Sequence, residues 1–165
     1  ELFGRLSGLH GVTDNSLKQL VTWGDHLKVD QPQIDAQHQA IFNIAMEVMD
    51  TWQSHGKIDR LKHLTEKLSN VREGHFRYEE RQLVEVGYPN LDEHKAEHKV
   101  MLDELQVIRD RLDGMGEGTA RLAPGFIVRN FVLGVTVGHI GHSDMDYCVF
   151  ARKAAQDHKS IWPAA

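Results

Sequence analysis

Two pairs of side chains that can bind metal lie in the middle of the chain, each pair with four-residue spacing. His75 precedes Glu79, and His94 precedes His98, with a Gly-Tyr-Pro turn at residues 87–89 between the pairs. Residues four apart share one face of a helix, so each pair can face one metal centre. If the chain folds back at the turn, two helices bring four ligands together.

Hydrophobic spacing predicts the helices that would position these ligands. Apolar residues recur every three or four positions in four long segments, which is typical of helices with one buried face. Asp35 is expected to cap the first helix and Asp59 the second, while Asn90 and Glu93 form a capping box before the third. Pro124 suits the first turn of the fourth. We therefore predict an all-α, up-down-up-down four-helix bundle.

Several histidines occupy the inward faces of these predicted helices. A single histidine on an apolar face is more often a hydrogen-bonded core residue than a ligand, but burying many imidazoles independently is costly. A common ligand explains them better. The inward histidines, with the glutamate between them, are His38, His75, Glu79, His94, His98 and His139. Those in arms, at helix ends or in outward positions are assigned no role: His10, His26, His55, His63 and His158.

Length, charge and cysteine content exclude several classes of protein. The 165 residues are enough for one domain, and the formal net charge is -5 with the positive residues spread along the chain, which argues against a nucleic-acid partner. There is no apolar run of about 20 residues and no signal-peptide pattern, so we expect a cytoplasmic protein without membrane insertion. The single cysteine, Cys148, excludes an internal disulfide and is expected to be a buried apolar residue.

The predicted bundle has an extension at each end. Residues 1–22 are expected to be a lead-in or linker, residues 23–151 the bundle, and residues 152–165 a tail or linker. Pro32 interrupts any helix that runs through it. Between residue 23 and this proline we expect an N-terminal extended arm that packs Trp23 and Val29 on the domain.

Taken together, the motifs resemble those of a bacterial-type hemerythrin domain. They cover roughly residues 23–150, and their joint spacing is highly specific. The matching residues are Trp23, Ile34-Asp35-Ala36-Gln37-His38, His75-Phe76, Glu79-Glu80, Gly87-Tyr88-Pro89, His94, His98, His139-Ile140 and Asp144. The resemblance implies a non-haem di-iron centre, oxo- or hydroxo-bridged when oxidised, that binds dioxygen reversibly. It implies a binding or sensing domain rather than an enzyme.

The resemblance also implies a ligand for each iron. The iron with fewer protein ligands would keep an open position for dioxygen, and imidazole and carboxylate groups suit iron. By matching position, His94, His98 and His139 would hold one iron, His38 and His75 would hold the other, and Glu79 and Asp144 would bridge the two.

Asp144 conflicts with regular helix geometry. Five residues after His139, it would lie about 140° round the helix, whereas Asp146 would lie nearly in line. Family spacing favours Asp144, so we predict a local irregularity, such as a π-bulge, near residues 141–143. His142 is a candidate for supporting a ligand, although a solvent-facing position is the favoured interpretation.

Two other metalloprotein classes were compared with this pattern. The five residues from His94 to His98, His-Lys-Ala-Glu-His, match the His-x-x-Glu-His motif of inverted zinc peptidases. That interpretation leaves His38, His75, Glu79 and His139 unexplained. A ferritin-like oxidase would need Glu-x-x-His pairs on two helices, and the sequence has none.

Three roles are compatible with the hemerythrin resemblance: an oxygen or redox sensor, a stand-alone oxygen carrier or store, and an enzyme that handles peroxide or nitric oxide. The chain begins at Glu1 rather than methionine and extends beyond the predicted bundle at both ends. These features favour a sensor module of a larger signalling protein, with an output domain in the same polypeptide.

Overall fold

The computed structural model describes residues 23–116 and 134–156, and its helices form the predicted all-α four-helix bundle. The first three bundle helices are α1 (Pro32–Gln53), α2 (Ile58–Val86) and α3 (Leu91–Asp113). A π-helix (Gly134–Ser143) continues directly into α4 (Asp144–Gln156), and together they make the described part of the fourth helix. The start predicted at Pro124 lies outside the described residues.

Short connections and contacts across the bundle give the direction of each helix. Only a few residues separate α1 from α2 and α2 from α3, so these neighbours run antiparallel. In the fourth helix, His139 lies beside His98, while Tyr147, further along the chain, lies beside His94. Later residues of the fourth helix thus meet earlier residues of α3. The up-down-up-down arrangement follows.

The ligand candidates lie between two apolar clusters. The larger cluster contains Ile41 and Leu68, and the smaller contains Ile34, Leu83 and Tyr147. On α1, the larger cluster lies after His38 and the smaller cluster before it. On α2 the order is reversed, because the larger cluster precedes Glu79 and the smaller cluster follows it. The bundle therefore holds a polar layer with hydrophobic core on both sides.

α1 begins four residues earlier than an Asp35 cap would place it, so that prediction is wrong. The helix starts at Pro32, with Gln31 as its N-cap, and the Gln31 side chain accepts a hydrogen bond from the Ile34 amide at 2.7 Å. Proline fits the first helical position because its missing N–H would have no partner there. Asp35 instead accepts a hydrogen bond from the Val29 amide at 2.8 Å.

The cap predicted at Asp59 is also wrong, whereas the one predicted at Asn90 is right in position but not in its hydrogen bonds. The N-cap of α2 is Lys57, and Asp59 lies within the first turn. Asn90 does occupy the N-cap of α3, but its side chain makes no capping hydrogen bond. Gly87, with φ of 70°, ends α2 in the left-handed conformation that glycine adopts most easily.

The arm before α1 packs on the bundle as predicted. The Trp23 ring meets Phe42 edge to face with centroids 5.6 Å apart, and Val29 is fully buried. The arm is not wholly extended, because a short 3-10 turn spans Asp25–Leu27. Cys148 is buried and donates to the Val29 carbonyl at 3.0 Å, which joins the arm to α4.

Among the helices described, none has both the length and the apolar character needed to span a membrane.

Candidate metal centre

All seven ligand candidates converge in the polar layer. They form two buried groups of four, within each of which the candidate ligand atoms lie within 4.8 Å of one another. Glu79 belongs to both groups. The first group is Glu79, His94, His98 and His139, and the second is His38, His75, Glu79 and Asp144. The arrangement can hold two metal ions that share a carboxylate.

Distances between imidazole nitrogens fit a shared metal ion in each group. The Nε2 atoms of His38 and His75 are 3.1 Å apart, and those of His98 and His139 are 3.0 Å apart. With metal–nitrogen bonds of about 2.1 Å, as in zinc–imidazole sites, two ligands at right angles would lie about 3.0 Å apart. The separations therefore suit pairs of ligands on one ion.

Hydrogen bonds at Nδ1 leave the opposite nitrogen free to bind metal. Glu80 accepts from Nδ1 of His98 at 2.8 Å, and Glu97 accepts from Nδ1 of His139 at 3.2 Å. A neutral imidazole that donates from Nδ1 carries a lone pair on Nε2. The two Nε2 lone pairs therefore point toward each other, an arrangement that a cation between them stabilises.

His75 has the same kind of support from α1. The side-chain oxygen of Gln37 accepts a hydrogen bond from Nδ1 of His75 at 2.9 Å. Its Nε2 is thereby left to face His38.

Asp144 lies in the cluster because the helix before it is a π-helix. The predicted irregularity is confirmed, but it spans Gly134–Ser143 rather than three residues. The i to i+5 pattern of a π-helix stacks residues five apart, which brings Asp144 beside His139. Their Oδ1 and Nε2 atoms are 3.1 Å apart. Asp146 is exposed, and so is His142.

The Asp144 carboxylate also fits a cation. Its Oδ2 lies 3.2 Å from Nε2 of His38. Nevertheless, neither carboxylate oxygen accepts a well-formed hydrogen bond from the described residues, although the side chain is fully buried. A buried carboxylate without hydrogen bonds is costly. A metal ion beside both oxygens would remove that cost.

Glu79 is held from both sides of the layer. Its Oε2 lies 3.1 Å from Nε2 of both His94 and His98, and 3.8 Å from Nε2 of His75. Tyr147 donates a hydrogen bond to the other oxygen, Oε1. The carboxylate is therefore fixed at the boundary between the two groups, which is where a bridging ligand must lie.

Charge and burial keep most of these groups in metal-binding protonation states. Burial lowers the pKa of His75 to about 3, even though Glu79 opposes the shift, and burial also lowers the pKa of His139. Burial tends to raise the pKa of Glu79, but nearby histidines outweigh it and hold that pKa well below its ordinary value. His75 and His139 are thus neutral at pH 7, and Glu79 is ionised.

His94 differs from these two histidines in its protonation. Burial favours its neutral form, but the hydrogen bond and negative charge of Glu79 outweigh burial and raise its pKa. In the metal-free protein, His94 therefore takes up a proton more readily than an ordinary histidine. A metal ion would have to displace that proton.

An aromatic ring separates the centre from a buried arginine. Phe76 stacks on His98 with ring centroids 3.7 Å apart, and the Arg72 guanidinium carbon lies 5.1 Å from the Phe76 centroid. Burial lowers the pKa of Arg72 to about 9, so it remains charged at pH 7. The centre therefore has an apolar wall with a positive charge beyond it.

Sequence reasoning did not assign the residues that support the ligands. Gln37, Glu80 and Glu97 each directly precede or follow a candidate ligand on the same helix. Such neighbours point about 100° away from the ligand face, toward the next helix. The available signal was that each of these three polar side chains lies next to a candidate ligand in the sequence. Glu97, the glutamate of the motif between His94 and His98, accepts hydrogen bonds from His139 and Ser143.

Comparisons with known proteins agree with this site. A model of the family described as hemerythrin HHE cation binding domain matches residues 30–147. A bacteriohemerythrin from Clostridium acetobutylicum is 27% identical over 90 residues, which cover 53% of this chain and 70% of that protein. No solved structure gives a significant match. The family match covers well over half of the chain and confirms the resemblance seen in the sequence: the chain belongs to the hemerythrin HHE cation-binding domain family.

Proposed function

We propose that this domain holds two iron ions in its buried polar layer, binds dioxygen reversibly there, and serves as an oxygen or redox sensor. The observation that carries the proposal is the pair of buried four-residue groups that share Glu79. Five imidazoles and two carboxylates are a donor set that suits iron. Membership of the hemerythrin family supports the same metal.

Unequal sharing of imidazoles supports an open position at one metal. His94, His98 and His139 belong to one group, whereas only His38 and His75 belong to the other. Glu79 and Asp144 supply the charge that balances the metals and lie where both groups can use them. Two irons would supply the electrons that reversible dioxygen binding requires. The protein's contribution is to hold the ligands and leave one side of the centre incomplete.

Water exclusion would keep dioxygen binding reversible. The seven candidate ligands are at most 4% exposed. Phe76 covers His98, and the Trp23 ring lies edge-on to His38 with centroids 6.1 Å apart. An enclosed site of this kind limits side reactions of reactive species with water. This enclosure favours binding over turnover.

The contact between Trp23 and His38 supports the sensor role. Trp23 belongs to the arm that leads into α1, and the arm is tied to α4 through Val29 and Cys148. A change in the position of His38 would therefore alter its contact with Trp23 and so could move the arm. An output domain or partner joined to this arm could respond to that change.

Metal analysis with visible spectroscopy tests the proposal. The purified domain is loaded with ferrous iron under argon, analysed for metal, and exposed to air. We expect about two irons per chain and a ligand-to-metal band that appears with oxygen and fades when oxygen is removed. One zinc per chain with a featureless spectrum would overturn the proposal.

The other two roles make different predictions in the same preparation. A carrier or store would bind oxygen without any change in the arm, which fluorescence of Trp23 would report against a Trp23→Phe variant. An enzyme would sustain turnover of peroxide or nitric oxide. A Trp23 signal that changes with oxygen, without turnover, supports the sensor role over both.

A further inference from the structure

Glu97 joins α3 to the π-helix. Its Oε2 accepts a hydrogen bond from the Ser143 hydroxyl at 2.6 Å and another from Nδ1 of His139 at 3.2 Å. Ser143 is the last residue of the π-helix and directly precedes Asp144. One carboxylate therefore contacts two points of the segment that presents the fourth helix's ligands.

The π-helix needs such support because it competes with a regular α-helix. π-helices are rare, and the α-helical alternative would change which side chains face the centre. In an α-helix, Ser143, four residues after His139, would lie on the ligand face, and Asp144 would be turned aside. The hydrogen bond to Glu97 draws Ser143 toward α3 instead. Asp144 then takes the position beside His139.

We propose that Glu97 and Ser143 are a positioning pair that holds the π-helical register and so delivers Asp144 to the centre. Neither residue is a metal ligand; both act through His139 and Asp144. The pair would serve the metal centre proposed above, and its benefit to metal binding rests on that proposed function. The register itself is a property of the metal-free chain and can be tested there.

Glu80 provides a matched control for Glu97. Both are glutamates that accept from Nδ1 of a candidate ligand, His98 for Glu80 and His139 for Glu97. Both are partly exposed, at 27% and 37% of the side chain. The Glu80 contact joins α2 to α3, which are regular α-helices. Loss of Glu80 should therefore weaken metal binding without changing the π-helix.

Amide hydrogen exchange of the metal-free protein tests the register. Hydrogen bonds to charged groups contribute enough that losing one should speed local opening roughly ten-fold. We expect Glu97→Gln and Ser143→Ala to speed exchange of residues 139–144 by about that factor, and Ser143→Thr, which keeps the hydroxyl, to retain protection. Glu80→Gln should leave these amides unchanged. Wild-type exchange in Ser143→Ala would overturn the proposal.

A double-mutant cycle tests whether the pair acts through Asp144. Iron release to a chelator should be about ten-fold faster in Ser143→Ala than in the wild type, the usual size of the effect when a ligand's supporting contact is lost. In an Asp144→Asn background, Ser143→Ala should add nothing, whereas Glu80→Gln should still add its own effect. Additive effects of Ser143→Ala and Asp144→Asn would contradict the positioning role.

Failure of this inference is distinguishable from failure of the proposed function. A wild-type protein that binds two irons while Ser143→Ala behaves like it overturns only the positioning pair. A wild-type protein that binds no iron overturns the function, and the exchange rates of residues 139–144 still decide the register.

Discussion

Tyr147 donates its hydroxyl hydrogen to Oε1 of Glu79, and both side chains are fully buried. Burial and the negative charges of Glu79 and Asp144 raise the pKa of Tyr147 well above its ordinary value, so the phenol keeps its proton. The interaction fixes which oxygen of Glu79 faces the histidines of the centre.

Replacing this donor should weaken metal binding. In Tyr147→Phe, Oε1 of Glu79 loses its hydrogen bond and the carboxylate can rotate. We expect iron release to a chelator to be about ten-fold faster, since supporting contacts of metal ligands are usually worth that much. The control is Tyr78→Phe, which removes a hydroxyl that accepts from Gln31 outside the centre. Equal release rates in the two variants would contradict the role given to Tyr147.

Two aspartates in α4 should differ sharply in their effect on metal content. Asp144 is fully buried in the cluster, whereas Asp146 is exposed. We expect Asp144→Asn to retain fewer than two irons per chain after gel filtration, and Asp146→Asn to retain the wild-type amount. Metal analysis of both proteins measures the difference. A loss of iron confined to Asp146→Asn would mean that the ligand face had been misassigned.

The metal-free protein should lose stability as the pH falls from about 6.5. Burial lowers the pKa of His75 from 6.5 to about 3. Between these values the unfolded chain binds a proton at this position that the folded chain does not, so the free energy of unfolding decreases as the pH is lowered. The lowered pKa values of Glu79 and Asp144 act in the same direction at lower pH.

Urea unfolding of the metal-free protein at pH 7 and pH 5 measures this loss. His75→Gln cannot titrate, so the difference in unfolding free energy between the two pH values should shrink. His63→Gln replaces an exposed histidine on the same helix and should show the wild-type difference. If both variants match the wild type, His75 is not the source of the acid sensitivity.

Leu105 and Val107 on α3 should respond differently to truncation. Leu105 is fully buried in the larger apolar cluster, and Val107 is 49% exposed. Leu105→Ala should lower the free energy of unfolding by about 2–5 kcal/mol because it leaves a cavity. Val107→Ala should change it by less than about 0.5 kcal/mol. Chemical unfolding of both variants, followed by circular dichroism, provides the comparison.

The ligand cluster was predictable because its spacing is local. A shared helix face is indicated within five residues by His75 with Glu79, and again by His94 with His98. The bundle was predictable for a related reason, since apolar periodicity identifies buried faces before any contact is known. His38 and His139 were joined to the same centre by their inward positions on the predicted helices, whereas Asp144 depended on the resemblance to a family.

The features that the sequence did not predict depend either on competition between possible helix starts or on contacts between helices. Asp35 is a good capping residue, but Pro32 starts the helix earlier and Asp35 turns to the arm. The extent of the π-helix depends on partners such as Glu97, which lies on another helix. The hydrogen bonds that Gln37 and Glu80 accept depend on how neighbouring helices are rotated, which spacing alone does not specify.

The π-helix also bears on how the chain could vary in length. Residues five apart are stacked in a π-helix, as residues four apart are in an α-helix. A chain with one residue deleted between His139 and Asp144 could therefore become α-helical there and still stack the carboxylate on the imidazole. The π-helix at this point of the fourth helix has room for one residue more per stacked pair than an α-helix would. We therefore expect a spacing of four residues in an α-helix to bring these two side chains to the same face as a spacing of five does in the π-helix.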